Sequence, residues 1–269
     1  MFKLENFMGK RVLTSSLLDG EAARAFSTTR DLPLKAGERD DLIEEVENNK
    51  KLICEGFNIP LENLIIPIQT HSDNVKIVNG KQGTVKGNNH STLQPFNPST
   101  HKNTDALVTN EQNLALALNF ADCVPIIFFD PIKRVAAIAH AGWRGTVAKI
   151  APKTVEKMVD EFGSKPEDII ALIGPAIGKC CFKVQDDVKI KLLDTIAKPH
   201  HSKVCDGNYL DLKLINKFQL LASGIEKIDL CEYCTFCQSE LFFSYRRENA
   251  KTARHSAVIM VSGHVNGKR

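Results

Sequence analysis

Three short segments of this 269-residue chain carry residues that can bind a metal ion or attack a substrate. They are Gln69-Thr70-His71, Ala121-Asp122-Cys123 and the run from His140 to Gly145. Two imidazoles and a thiolate suit zinc, and three protein ligands leave one coordination position open, as in catalytic zinc sites. We therefore predict that His71, Cys123 and His140 hold one zinc ion, with copper as the second choice of metal.

The same side chains permit chemistry without a metal. Cys123 could act as a nucleophile with His140 or His71 as its base, and Asp122 or Asp105 could orient that histidine. A third interpretation treats them all as ordinary core or turn residues, since sequence separation alone proves no contact. The residues by themselves leave these alternatives open.

Supporting roles follow from the neighbours of the predicted ligands. Gln69 and Asp105 could hydrogen-bond the outer nitrogen of a ligand histidine, or they could cap turns. Asp122 is adjacent to Cys123, but successive strand residues point to opposite faces, so no general base is assigned. His255 opens a predicted strand and is expected to be structural.

A second group of cysteines forms the pattern Cys231-x-x-Cys234-x-x-Cys237. A closed zinc or iron–sulfur site needs a fourth ligand, and no further cysteine follows this run. Cys180 or Cys181 could supply it only if the fold brings the two segments together. We therefore expect buried thiols here and no extra metal.

Composition limits the class of protein. The apolar share of 43% and charged share of 25% are those of a globular chain. A net charge of +3 is too small to favour nucleic acid or an anionic membrane as partner. Because no stretch resembles a signal peptide or a membrane span, we expect a cytoplasmic protein, whose eight cysteines are then thiols or ligands before they are disulfides.

Apolar periodicity predicts an α/β fold. Helices are expected over 37–57, 145–162, 184–196 and 210–222. Short apolar runs are typical of strands buried on both faces, and they cover 64–68, 75–78, 105–109, 114–120, 124–129, 135–140, 169–173 and 256–261. The polar stretch 80–103 is expected to be a long exposed loop. With no linker or repeat visible, we predict one mixed α/β domain over residues 1–269.

These segments together resemble a known family, the laccase-domain or multicopper polyphenol oxidase family, also described as purine nucleoside phosphorylase and peptidoglycan editing factor proteins. The resemblance covers nearly the whole chain. It rests on Phe26-Ser27-Thr28, Gln69-Thr70-His71, the runs 104–109 and 121–125, the run from His140 to Gly145, the run 173–178, Cys234-Thr235 and the run 242–247.

The resemblance implies a layered α/β/β/α sandwich and a zinc site at His71, Cys123 and His140. It also implies zinc-dependent phosphorolysis of adenosine, inosine and methylthioadenosine, together with deamination of adenosine. Purine nucleosides and phosphate are then the partners, and the oligomeric state is unknown.

Arginine is the residue suited to holding phosphate, because its fork of donors matches the phosphate oxygens. Arg30, Arg144 and Arg246 all lie in segments that match the family, and we predict that they bind substrate or phosphate. The alternative is that each is a surface salt-bridge partner.

A true laccase does not fit this sequence. Multicopper oxidases build their copper sites largely from His-x-His pairs, and the eight histidines here include no such pair. A blue-copper centre would also need a weak axial ligand, and no methionine lies near the three segments. Three other functions remain open: a peptidoglycan editing hydrolase acting on a muramyl precursor, a metal-free Cys/His hydrolase, and a zinc-stabilised binding module without catalysis.

Overall fold

Two large β-sheets form the centre of the molecule, as seen in a computed structural model that describes residues 1–79, 84–86, 93–94 and 103–263. In chain order the strands are β1 (Phe2–Phe7), β2 (Lys10–Ser15), β3 (Ala23–Thr28), β4 (Leu64–Ile65), β5 (Val75–Asn79), β6 (Thr84–Lys86), β7 (Leu93–Gln94), β8 (Ala106–Thr109), β9 (Ala115–Phe120), β10 (Val124–Asp130), β11 (Val135–Ala141), β12 (Ile170–Ile173), β13 (Cys205–Asp206), β14 (Tyr209–Leu210), β15 (Lys227–Leu230) and β16 (His255–Val261). The helices are α1 (Ile43–Phe57), α2 (Trp143–Val147), α3 (Ile150–Phe162), α4 (Asp186–Leu193), α5 (His201–Val204) and α6 (Leu212–Ala222).

Both large sheets are mixed. The six-stranded sheet has the order β1-β2-β3-β16-β9-β4, and the eight-stranded sheet has the order β15-β12-β10-β11-β8-β5-β6-β7. The pairs β4–β9, β5–β8 and β12–β15 are parallel, and the other pairs within the two sheets are antiparallel. Strands β13 and β14 form a separate hairpin.

The core lies in three layers between and outside the sheets. Leu116 and Leu118 of β9 meet Ile138 of β11 in the cluster between the two sheets. Because side chains alternate along a strand, the neighbouring Ala115 and Ala117 face the other way, toward α1. Helices α3 and α6 cover the outer face of the eight-stranded sheet. The layer order is therefore α/β/β/α, as predicted.

The central strands were well predicted, because strands buried on both faces have continuous apolar sequences. Strands β8 to β12 lie within a residue or two of the predicted runs, and every residue in them is buried. The closing strand of the sequence, β16, is central in space, between β3 and β9. Helices α1, α4 and α6 also match predicted helices, although each begins later than predicted.

Several local predictions need correction. The helix predicted over 145–162 is two helices, because Lys149 adopts the left-handed conformation with φ 59° and breaks the hydrogen-bond ladder. The strand predicted over 64–68 has only two residues. The stretch predicted as a loop over 80–103 contains β6 and β7, and its remaining residues apart from 103 lie outside the described part of the chain. In the described ranges, no helix is long and apolar enough to cross a membrane.

Candidate metal centre and cleft

His71, Cys123 and His140 come together at one edge of the eight-stranded sheet. One ligand atom from each lies within 4.8 Å of the other two, and the histidine ring centroids are 4.9 Å apart. Antiparallel pairing of β10 with β11 sets Val124 opposite Ala141, which brings the residue before one strand beside the end of the other. The fold thus supplies the convergence that sequence spacing could not establish.

The chain passes from the six-stranded to the eight-stranded sheet at Cys123. It leaves β9 at Phe120 and enters β10 at Val124, so the connection between the two sheets has only three residues. Asp122 makes this possible with φ 88°, in the left-handed region that non-glycine residues rarely adopt. His71, in the turn between β4 and β5, is also left-handed, with φ 61°. Strained conformations of this kind cluster at functional sites.

A single buried carboxylate holds the turn that carries His71. Asp105 is fully buried, and its two oxygens accept hydrogen bonds from the backbone N–H groups of Thr70, His71 and Ser72 at 3.1, 3.1 and 2.7 Å. The Ser72 hydroxyl donates another at 2.7 Å. The carboxylate therefore fixes the backbone from which the His71 ring projects.

The same carboxylate orients His140. Asp105 Oδ1 lies 2.8 Å from His140 Nδ1. Burial alone would raise the pKa of Asp105, but hydrogen bonds from His140 and Ser72 outweigh it and lower the pKa to about 2. An ionised carboxylate can only accept, so Nδ1 carries a proton and Nε2 is the ring nitrogen that would bind a metal.

Charge coupling links Cys123 and His140. Burial disfavours a thiolate, yet His140 and then His71 stabilise it and lower the pKa of Cys123 to about 6. Burial also opposes protonation of His140, but the Cys123 thiolate and the Asp105 carboxylate raise its pKa to about 9. A cation bound between them would replace the shared proton, because metal ligands bind in their deprotonated forms.

Close packing around the centre requires a glycine at position 142. A Cβ atom built there would lie 3.0 Å from Cys123 Sγ and 3.2 Å from Cδ2 of His71. Gly142 also precedes α2, whose first residue is Trp143. The glycine in the run from His140 to Gly145 is therefore explained by the approach of two other chain segments.

Gln69 does not share the role of Asp105. Its side-chain amide donates to the Asn119 carbonyl at 2.9 Å and accepts from the Asn119 N–H at 2.8 Å. These bonds tie the His71 turn to β9. Of the two predicted supporting residues, Asp105 contacts a histidine ring and Gln69 is engaged with the backbone.

A cleft of about 440 Å³ opens beside the three predicted ligands, all of which line it. Four cationic side chains also line it: Lys35, Arg144, Arg246 and Arg254. None of the four forms an ion pair with a carboxylate of the described residues. Burial, followed by the charge of Arg254, lowers the pKa of Lys35. Four cations without an ion-pair partner in a concave site attract anions.

The predicted arginines divide into two groups. Arg144 lies over the Trp143 ring at 4.3 Å, and Arg246 donates to the carbonyls of Cys181 and Lys183 at 3.4 and 3.3 Å, so both remain at the cleft. Arg30 is elsewhere: it pairs with Glu248 at 2.7 Å and does not line the cleft. The alternative interpretation as a salt-bridge partner therefore describes Arg30.

Two cleft cations were missed by sequence reasoning. Arg254 lies just before β16, and Lys35 is bridged to it through antiparallel backbone pairing. Neither belongs to a segment with an unusual residue pattern, so only the pairing of distant strands reveals them. Arg254 is also held by its own loop, through hydrogen bonds to the carbonyls of Thr252 and Ala253.

Asp122 is occupied in positioning the Arg246 segment. Its carboxylate accepts hydrogen bonds from Thr235 Oγ1 at 2.7 Å, Ser244 Oγ at 3.0 Å and the Arg246 N–H at 2.7 Å. With both oxygens engaged, it holds the backbone that carries a cleft cation.

Fold and site together define a four-layer α/β protein with a three-residue candidate metal centre beside a cationic cleft. Residues 26–262 match the family described as multi-copper polyphenol oxidoreductase laccase, and the chain belongs to that family. The purine nucleoside phosphorylase YlmD of Bacillus subtilis (strain 168) is 37% identical over 221 residues, 80% of this chain and 77% of the relative.

Two further comparisons agree on the family. The adenosine deaminase RL5, from an unknown prokaryotic organism, is 30% identical over 254 residues, 87% of this chain and 92% of the relative. The crystal structure of YlmD from Geobacillus stearothermophilus matches with a TM-score of 0.82 and 32% identity, covering 97% of this chain and 99% of that chain.

Proposed function

We propose that this protein is a zinc-dependent purine nucleoside phosphorylase acting on adenosine, inosine and methylthioadenosine, with adenosine deaminase activity. The observation that carries the proposal is the juxtaposition of His71, Cys123 and His140 with a cleft whose four cations have no carboxylate partner among the described residues. The names of the relatives YlmD and RL5 support the same two reactions.

The donor set fits zinc. The three residues offer two imidazole nitrogens and one thiolate. Asp105 is hydrogen-bonded to the ring of His140, and carboxylates in this position orient the histidines of zinc sites. Within the described ranges the cluster contains three residues and faces the cleft, which favours a catalytic centre over a closed structural one. Zinc held there would supply a Lewis acid next to the substrate.

The cleft cations would bind the phosphate that attacks the sugar. Three of the cations are guanidinium groups, from Arg144, Arg246 and Arg254. Each can donate two parallel N–H bonds to two phosphate oxygens, and the ammonium group of Lys35 adds a further positive charge. They would hold the nucleophile close to the anomeric carbon, so that its position, and not its basicity, lowers the barrier. Asp105 would keep the His140 ring in one orientation throughout.

Aromatic side chains would bind the purine base. Trp143, Phe182 and Tyr245 line the cleft, and flat aromatic rings can stack on a base. Tyr245 is exposed, with 52% of its surface accessible, which leaves one wall of the cleft open to solvent. That openness fits a site that admits purines with different substituents.

One set of assays tests the proposal. Purified protein is incubated with inosine, with and without phosphate, and hypoxanthine release is measured by chromatography; adenosine is monitored separately for conversion to inosine. Phosphate-dependent release that disappears after zinc removal and returns on zinc addition is expected. Release of an amino acid from a muramyl-serine precursor, with no hypoxanthine formed, would instead identify a peptidoglycan editing hydrolase.

A metal-free Cys/His hydrolase is the second candidate. In it Cys123 would be the nucleophile, His140 its base, and Asp105 the group that orients the histidine. The lowered pKa of Cys123 beside His140 is the usual state of a reactive cysteine. The two candidates differ in their response to chelators. Full activity in metal-free protein, abolished by alkylation of Cys123, would favour the hydrolase.

A further inference from the structure

Four cysteines outside the candidate active site meet in a second cluster. Cys180 and Cys181 follow β12, and Cys234 and Cys237 follow β15. Because β12 and β15 are parallel neighbours, the segments after them emerge at the same edge of the sheet. One sulfur from each of the four residues lies within 4.8 Å of the other three. We call this group the four-cysteine cluster.

The distances fit a single tetrahedral ion. The Sγ atoms of Cys180 and Cys237 are 3.7 Å apart, and those of Cys181 and Cys237 are 3.5 Å apart. Four thiolates at about 2.3 Å from one zinc ion would have their sulfurs about 3.8 Å apart. A disulfide needs about 2.05 Å, and one bond would use only two of the four sulfurs.

We propose that the four-cysteine cluster binds one structural zinc ion. Four thiolates are a soft ligand set that favours zinc, and four protein ligands complete its tetrahedral shell. The site is closed and leaves no position for a substrate. It is separate from the candidate active site and does not depend on the function proposed above.

The surroundings of the cluster suit a charged metal–thiolate centre. The Gly178 N–H donates to Cys234 Sγ at 3.1 Å, the kind of bond that orients a ligand sulfur. A Cβ at Gly178 would lie 3.3 Å from Cys180 Sγ, so glycine permits the close approach of backbone and sulfur. Buried Lys213 is close enough to interact electrostatically with Cys180 and Cys234, which would offset the negative charge of four thiolates.

Metal access is also provided, since Cys180 and Cys237 are exposed whereas Cys234 is buried. Cys231, the first cysteine of the sequence pattern, is buried and lies outside the cluster. The expectation of buried thiols therefore holds for Cys231 and Cys234 and is wrong for Cys237. The fold supplies the other two cysteines, Cys180 and Cys181, from the segment after β12.

Zinc in this cluster would join a segment that lines the cleft to a segment that supports a residue lining it. The segment after β12 carries Phe182, and its Cys181 carbonyl accepts from Arg246. The segment after β15 carries Thr235, which hydrogen-bonds Asp122. A bond through the metal would hold both segments in register and so stabilise this side of the cleft.

Metal counting tests the proposal. Untagged protein carrying Cys123→Ala, which lacks the thiolate of the other candidate centre, is purified without chelator and its metals are measured by mass spectrometry. We expect one zinc per chain, lost in the triple variant Cys123→Ala/Cys180→Ser/Cys237→Ser and retained in the matched control Cys123→Ala/Cys205→Ser. Equal zinc in the triple variant and in its double-variant control would overturn the assignment, as would one iron per chain in place of zinc.

A measurement on the unmodified chain keeps the test decisive if the triple variant does not fold. Alkylation of Cys180 and Cys237 is followed by peptide mass spectrometry with and without chelator. We expect both thiols to be protected until zinc is removed, while Cys205 reacts at the same rate throughout. Labelling that chelator does not change, or a disulfide between Cys180 and Cys237 in freshly purified protein, would overturn the proposal.

The two tests separate this inference from the proposed function. Absence of phosphorolysis by the unmodified protein, together with one zinc per chain in Cys123→Ala, would reject the function and support the cluster. Zinc-dependent phosphorolysis by the unmodified protein, together with no zinc in Cys123→Ala, would support the function and reject the cluster.

Discussion

The centre at His71, Cys123 and His140 and the four-cysteine cluster lie at the same edge of the eight-stranded sheet but are built differently. The first offers nitrogen and sulfur donors from a strand end, a sheet-to-sheet crossing and a turn, and it lines a cleft. The second takes only sulfur ligands, from the segments that follow two parallel strands. Ligand number and surroundings thus separate a centre suited to chemistry from one suited to structure.

The largest expected effect comes from removing the one thiolate of the first centre. Cys123→Ala should lower kcat/KM for inosine phosphorolysis about a thousandfold or more, because metal catalysis is worth several kcal/mol. Steady-state kinetics and metal analysis check this, with Cys205→Ala as the matched control that retains both. Full activity in Cys123→Ala would mean that the centre at His71, Cys123 and His140 does not carry the activity.

The second prediction concerns the carboxylate that orients His140. Asp105→Asn keeps the shape of the side chain but removes the charge that fixes Nδ1 as the donor, so zinc affinity or activity should fall about 10- to 100-fold. Competition with a chromophoric chelator measures the affinity. Asp73→Asn, which alters a nearby exposed ion pair with Lys153, is the control and should change neither. An unaltered affinity in Asp105→Asn would show that the ring needs no orientation.

The third prediction separates two arginines that the sequence did not distinguish. Arg246→Ala should raise KM for phosphate roughly tenfold or more, since a hydrogen bond to a charged group is worth about 1.5–3 kcal/mol. Arg30→Ala should leave that KM unchanged and lower the unfolding midpoint, because Arg30 is paired with Glu248 outside the cleft. Initial rates at varied phosphate concentration give KM for each variant. Equal changes in KM for the two variants would contradict the claim that Arg246, and not Arg30, binds phosphate.

The last prediction compares the candidate ligand histidines with a histidine of the core, His255, and concerns stability and not activity. His255 is fully buried, and neither ring nitrogen has a hydrogen-bond partner among the described residues. Burial, then the charges of Arg254, Arg30 and Arg247, lower the pKa of His255 to about 3. The folded state therefore binds fewer protons than the unfolded state between about pH 6.5 and 3. As the pH is lowered through this range, the free energy of unfolding decreases by up to about 1.4 kcal/mol per pH unit.

Replacing that ring removes the titrating group. His255→Phe should flatten the loss of stability between pH 6.5 and 5 in urea unfolding, since the ring already packs 5.3 Å from Phe242 and needs no polar partner. Parallel pH dependence in both proteins would mean that His255 is not held neutral.

The sequence was most informative where one physical signal dominates. Continuous apolar runs predicted β8 to β12, because a strand buried on both faces leaves no polar position. The amphipathic strands β1 and β2 were not recognised, since most of β1 is solvent-exposed and its pairing depends on a neighbour. A break at Lys149 also escaped prediction, because periodicity does not reveal a left-handed residue.

The site followed the same pattern. Residue type identified His71, Cys123 and His140 as a ligand set, and the fold brings them together; metal binding itself stays a prediction, as do the cytoplasmic location and a single domain over residues 1–269. The four-cysteine cluster and the cations Lys35 and Arg254 depend on which strands are neighbours. That information is long-range, so no local pattern contains it.

The bonds of Asp122 have a consequence for how the cleft would operate. Asp122 is bonded along the chain to Cys123 and accepts a hydrogen bond from the Arg246 N–H, so the backbone that carries the cleft cation is held beside the candidate ligand. A change at Asp122 would therefore displace the candidate ligand and the Arg246 segment together.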